Sequence, residues 1–82
     1  MALFGPKGKY VYTLDIQGMM CGMCEAHVND IVRKSFDVIK VKSSHLKNQT
    51  LIYTNNELDE EQLKSAIKAT GYEVGSINKE VR

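Results

Sequence analysis

The sequence predicts a small α+β domain with four strands and two helices in the order βαββαβ. Three observations lead there. Two stretches place apolar residues at helical spacing: Val28, Ile31, Val32 and Phe36, then Leu63, Ala66 and Ile67. Four others are short, rich in β-branched or aromatic residues, and bounded by Gly, Asn or polar turns. Finally, 82 residues can enclose one hydrophobic core and no second. Right-handed crossovers then put both helices on one face of a four-stranded antiparallel sheet, the ferredoxin-like arrangement.

Residues 1–9 hold the only proline and read as a loose lead-in to a domain spanning 10–78. Tyr10–Ile16 is the first strand, with Tyr10, Tyr12, Leu14 and Ile16 on one face. Gln17 and Gly18 end it. A helix is predicted from about Cys24 to Ser35. Residues 38–44 alternate weakly as a second strand, Leu46–Gln49 form its turn, and Thr50–Thr54 make the third strand. Asn55 and Asn56 break that strand. The second helix opens near Leu58-Asp59, and its acidic first turn, Asp59-Glu60-Glu61, suits the positive end of the helix dipole. Gly71 stops it. Tyr72–Ile77 is a short last strand, and residues 79–82 read as a charged tail.

Composition narrows the function. Hydrophobic residues make up 43% and charged residues 26%, with a net charge of +1. There is no basic excess, and Arg33 and Arg82 are the only arginines, which argues against nucleic acid. RNA-binding modules share this element order, but these strands lack their paired aromatic signature. No apolar run reaches the roughly 18 residues that span a bilayer. Met1–Pro6 lacks the charged start and long apolar stretch of a signal peptide, so a cytoplasmic location is expected. Thiols there are held mostly reduced.

The chemistry sits in Cys21-Gly22-Met23-Cys24, between a strand and a helix start. Two intervening residues let both sulfurs turn toward one point. The first helical turn favours negative charge, and thiol pKa values fall in such settings. Thiolates suit soft metals, and Cu(I) accepts two of them without further protein ligands. Zinc prefers four ligands, or three and water. The chain has two cysteines, and Met20 rather than a carboxylate precedes the first. Glu25 and His27 could add donors; His27 shares a helix face with Cys24. A CxxC pair also fits a thiol–disulfide oxidoreductase. Such loops usually carry Trp before the first Cys and Pro before the second. This chain has no Trp, and its one proline is Pro6.

Gly18-Met19-Met20-Cys21-Gly22-Met23-Cys24, followed by Val28, resembles the GMxCxxC signature of the heavy-metal-associated domain family. That family includes small copper chaperones and the metal-binding domains of copper-transporting P-type ATPases. Ala69-Thr70-Gly71-Tyr72 resembles its second recurring segment. The match runs from about Tyr10 to Ile77. The resemblance implies that Cys21 and Cys24 are the metal ligands, that Met19 packs beneath the loop, and that Tyr72 lies beside it. A tyrosine there leans toward bacterial chaperones, and Met20 before Cys21 weighs against the zinc-preferring relatives. Many members have Gly-Val where this chain has Asp37-Val38. The expectation is a carrier, not an enzyme. It would bind Cu(I) and hand it to a P-type ATPase or another CxxC domain by thiolate exchange. Ag(I), Hg(II) and Zn(II) stay open, as does a metal-bridged homodimer. Lys64 and Lys68 read as a solvated helix face or a docking patch for an acidic partner.

Overall fold

Residues 8–20 and 22–81 are described by the computed structural model; Cys21, with residues 1–7 and 82, lies outside the described residues. The elements are β1 (Tyr10–Gln17), α1 (Gly22–Ser35), β2 (Lys40–Ser44), β3 (Gln49–Thr54), α2 (Glu60–Lys68) and β4 (Glu73–Val81). They form one sheet in the order β2-β3-β1-β4, with every neighbouring pair antiparallel. Each helix therefore carries the chain across one intervening strand. This is the predicted ferredoxin-like fold.

Alternation along β1 explains how the sheet faces the helices. Tyr12, Leu14 and Ile16 point to the helices and join Val41 and Ile52 from the neighbouring strands. Val28 and Val32 from α1, and Leu63 and Ile67 from α2, close the core from above. Tyr10 and Phe36 pack at its margin. Val11 is also nearly covered, at 8% exposure, although it belongs to the opposite face of β1. Polar groups inside are paired. The Ser43 hydroxyl lies 2.7 Å from Asn29 Oδ1 and 2.8 Å from Thr50 Oγ1. Leu58 N–H donates to the Tyr12 hydroxyl at 2.9 Å, which fixes the chain as it enters α2. The Asp59 side chain caps that helix, accepting from the N–H groups of Glu61 and Gln62.

Four boundaries differ from the sequence reading. Helix α1 begins at Gly22, two residues early. Strand β2 begins at Lys40, and Asp37 ahead of it is tied to the sheet by a side chain instead of a ladder bond. Thr54 Oγ1 donates to the Asp37 carbonyl at 3.1 Å. The hairpin turn occupies residues 45–48, ending at Asn48 (φ 53°), and Gln49 is already strand. Strand β4 extends through Val81, so residues 79–81 of the segment read as a tail are ladder: Tyr10 faces Val81 and Tyr12 faces Lys79. Lys79 adds contacts there, with Nζ 3.3 Å from Glu57 Oε1 and 5.5 Å from the centre of the Tyr10 ring.

Candidate metal centre

Strand β1 delivers the loop, and α1 leaves it. Gly18 opens the loop at φ 107°, a conformation that side chains rarely tolerate. A Cβ there would also stand 3.1 Å from Cδ1 of Tyr72, so the tyrosine ring lies against the loop's first residue. Met19 turns inward and is 5% exposed within the core. Met20 and Met23 turn outward, at 83% and 82% exposure. Gly22 is the first residue of α1, which puts Cys24 in its first turn, half-buried against the core. The N–H groups and dipole of that turn favour negative charge at this end. Of the two sequence-predicted ligands, Cys24 is thus placed, while Cys21 lies outside the described residues.

Tyr72 reaches the loop from the turn between α2 and β4. Helix α2 ends at Lys68, and Gly71 (φ 100°) turns the chain back toward β4. The tyrosine then packs on the core and meets the His27 ring edge-on, with centroids 6.1 Å apart and planes 77° from parallel. One aromatic ring therefore touches both the entry to the loop and the second turn of α1. Lys64 and Lys68 lie on the exposed side of α2, beside Glu61 and Val74.

The hairpin between β2 and β3 belongs to the same end. Ile16 N–H donates to the Asn48 carbonyl at 2.9 Å, and Asp15 faces Gln49. Glu25, the residue after Cys24, fastens it: His45 N–H donates to Glu25 Oε2 at 2.7 Å. The His45 Nδ1 atom lies 2.6 Å from the same oxygen. A carboxylate only accepts, so Nδ1 carries the proton in that contact. These bonds, the backbone one foremost, hold the Glu25 carboxyl below its ordinary pKa. A lowered folded-state pKa stabilises the fold above the unfolded value. That stability is lost as pH falls through the folded value. The melting midpoint should therefore drop on acidification below roughly pH 5, and Glu25→Gln should flatten part of that drop. Parallel midpoint-against-pH curves for the two proteins would reject this role.

No protein-family profile and no curated protein sequence matches the chain. Solved structures do. The CopZ metallochaperone is 26% identical, over 79% of this chain and 98% of that one, with a TM-score of 0.71. The yeast copper transporter domain Ccc2a, determined in apo and Cu(I)-loaded states, is 25% identical over 82% and 96%, with a TM-score of 0.70. The N-terminal domain of ZntA in its Zn(II) form is 24% identical over 83% and 92%, with a TM-score of 0.74. The chain shares its fold with these heavy-metal-associated domains.

Two contacts at the loop escaped the sequence reading. The Glu25–His45 pair joins residues 20 apart, and no local pattern announces it. The His27–Tyr72 contact joins two residues that the sequence had singled out separately. Among the described residues, no group of three or more His, Cys, Asp or Glu side chains is arranged to hold a metal ion. No helix among them is long and apolar enough to cross a membrane.

Proposed function

We propose that this chain binds one Cu(I) ion between the thiolates of Cys21 and Cys24 and passes it on by ligand exchange. The acceptor is a domain with its own thiolate pair, such as the metal-binding domain of a copper-transporting P-type ATPase. The exchange takes place in the cytoplasm. One observation carries the reading: the chain's only two cysteines bracket the first residues of α1, just after β1, in a fold shared with the CopZ metallochaperone and the Ccc2a copper transporter domain.

Each residue has a task in that reading. Cys21 and Cys24 supply the thiolates. Met19, buried beneath the loop, holds its shape from below, and Tyr72 supports it from the side. Two soft donors satisfy Cu(I) and leave its coordination open. A thiol of the acceptor gives up its proton and enters as a thiolate to give a three-coordinate ion, and then one thiolate of this chain leaves and takes up a proton. A second exchange of the same kind completes the transfer; copper stays Cu(I) and no electron moves.

The test is titration of the reduced chain with Cu(I) against a competing chelator, with native mass spectrometry of protein taken from cells. One Cu(I) per chain, held against the chelator, is the expected result. Weak Cu(I) binding rejects the reading. Recovery of Zn(II), Hg(II) or Ag(I) from cells would reassign the cargo, and rapid reduction of insulin would reassign the CxxC pair to thiol–disulfide exchange.

A further inference from the structure

Among the described residues, the sheet order β2-β3-β1-β4 leaves β2 and β4 with a neighbour on one side only. Every neighbouring pair is antiparallel, so β2 runs parallel to β1 and β4 runs against it. The two edge strands therefore run in opposite directions. A second copy, shifted along the sheet, can set its β2 beside β4 as one more antiparallel strand. Both copies then carry their helices on the same face. The even number of strands is what permits this.

The two edges are guarded differently. Edge strands are commonly blunted by shortness and by charges, lysine above all. Strand β2 has five residues and two exposed lysines, Lys40 and Lys42. Strand β4 has nine residues, and its stretch from Val74 to Asn78 holds no charge. Its one lysine is turned away from the edge. Lys79 Nζ lies back over the sheet, 3.3 Å from Glu57 Oε1 and 5.5 Å from the centre of the Tyr10 ring. Two exposed hydrophobic side chains stand on these edges at the same end of the sheet. Ile39, at 47% exposure, directly precedes β2, and Val81, at 62%, closes β4.

One register matches side chains on both faces. Lys40 and Lys42 alternate with buried Val41 and so lie on the face away from the helices. Glu80, opposite Val11, lies on that face too. Val41 and Lys79, opposite Ile52 and Tyr12, lie on the helix face. Setting Lys40 opposite Glu80 of a second copy brings Ile39 beside Val81 and Ser43 opposite Ile77. A cation then meets an anion on one face, and the two exposed apolar side chains meet at the end. Pairing β2 with another β2, centred on Val41, instead puts Lys40 opposite Lys42. Like charges directly opposed are destabilising.

We propose that this chain associates head to tail with itself, β2 of one copy adding to β4 of the next. The contact is short. A few residues a side fall below the roughly 800 Å² per partner of a stable standard interface, so it forms at high local concentration. One β2 and one β4 stay open at the two ends of any such assembly, so growth does not close. Each copy advances the sheet by four strands, roughly 19 Å at about 4.8 Å per strand. Cysteine loops at that spacing are too far apart to share one ion. The assembly is therefore independent of metal and of the Cu(I) reading above.

Sedimentation velocity of the reduced chain with a metal chelator present, from about 20 µM to about 1 mM, tests this. The weight-average sedimentation coefficient of the native chain should climb across the series without levelling off at a dimer. Lys40→Glu and Glu80→Lys each oppose like charges, and each should weaken association about fivefold or more. Both substitutions in one chain should restore it to within about twofold, and so should mixing the two single variants. Both positions are exposed, so thermal melts of all variants should match the native one. A native chain that stays monomeric throughout, or that closes as a dimer, overturns the proposal. So do single variants that associate like the native chain, or a double variant that fails to recover. Association that appears only on loading with Cu(I) assigns the contact to the metal loop and overturns it as well.

Discussion

Cys24→Ser is expected to lower Cu(I) affinity by about three orders of magnitude or more, beyond the roughly 10–100-fold that loss of an outer-shell partner costs. A hydroxyl is a hard, weakly acidic donor, so the substitution leaves one soft ligand where Cu(I) needs two. The fold should survive, because Cys24 is half-buried at the edge of the core and serine is slightly smaller. Chelator competition gives the affinity, and a thermal melt of the same sample reports folding. Cys21→Ser should match it, and the double variant should show no Cu(I) retained. Affinity kept within tenfold in the double variant would mean that the ligands lie elsewhere.

The second large effect is on stability. Leu63 is fully buried in α2 and joins the core with Ile67, opposite Val28 and Val32 of α1. Truncating such a leucine to alanine costs about 2–5 kcal/mol, through lost transfer free energy and the cavity left behind. A domain of this size has only about 4–12 kcal/mol in total. Leu63→Ala should therefore lower the melting temperature by more than about 10 °C. Urea or thermal denaturation followed by far-ultraviolet circular dichroism checks it. A loss below about 1 kcal/mol would show that α2 can repack over the gap. Serine at nearby exposed Lys64 should change little by comparison.

Much of this architecture was legible in the sequence, because the signals that specify it are local. Leu14 and Ile16 alternate with polar neighbours, and Val28 and Val32 repeat at helical spacing. Asp59 stands where a helix cap must. What was not legible depends on partners distant in the chain. Asn78, Lys79 and Glu80 have no strand preference of their own; they are strand because β1 offers an unpaired edge opposite them. Val11 faces away from the helices yet is covered, which no alternation pattern foretells. Helix α1 starts at Gly22, a residue that alone argues against a helix interior. At the candidate site the division is the same. The GMxCxxC spacing and the Gly71-Tyr72 pair could be read directly. The pairing of Glu25 with His45 could not, since it depends on how the hairpin folds back beside α1.

The placement of β1 has a consequence for the thermodynamics of loading. This strand is hydrogen-bonded along both edges, to β3 and to β4, and Met19 just beyond it is buried. The stem of the cysteine loop therefore grows from one of the two central strands of the sheet. An ion arriving between the two sulfurs would find that stem already ordered. Fixing a backbone residue costs about 1–2 kcal/mol in conformational entropy, so each residue already fixed spares the bound state that penalty. Release would correspondingly recover little entropy. On the side of β1, uptake and discharge would then differ mainly in sulfur–metal bonding, with that strand acting as a fixed stem in both directions.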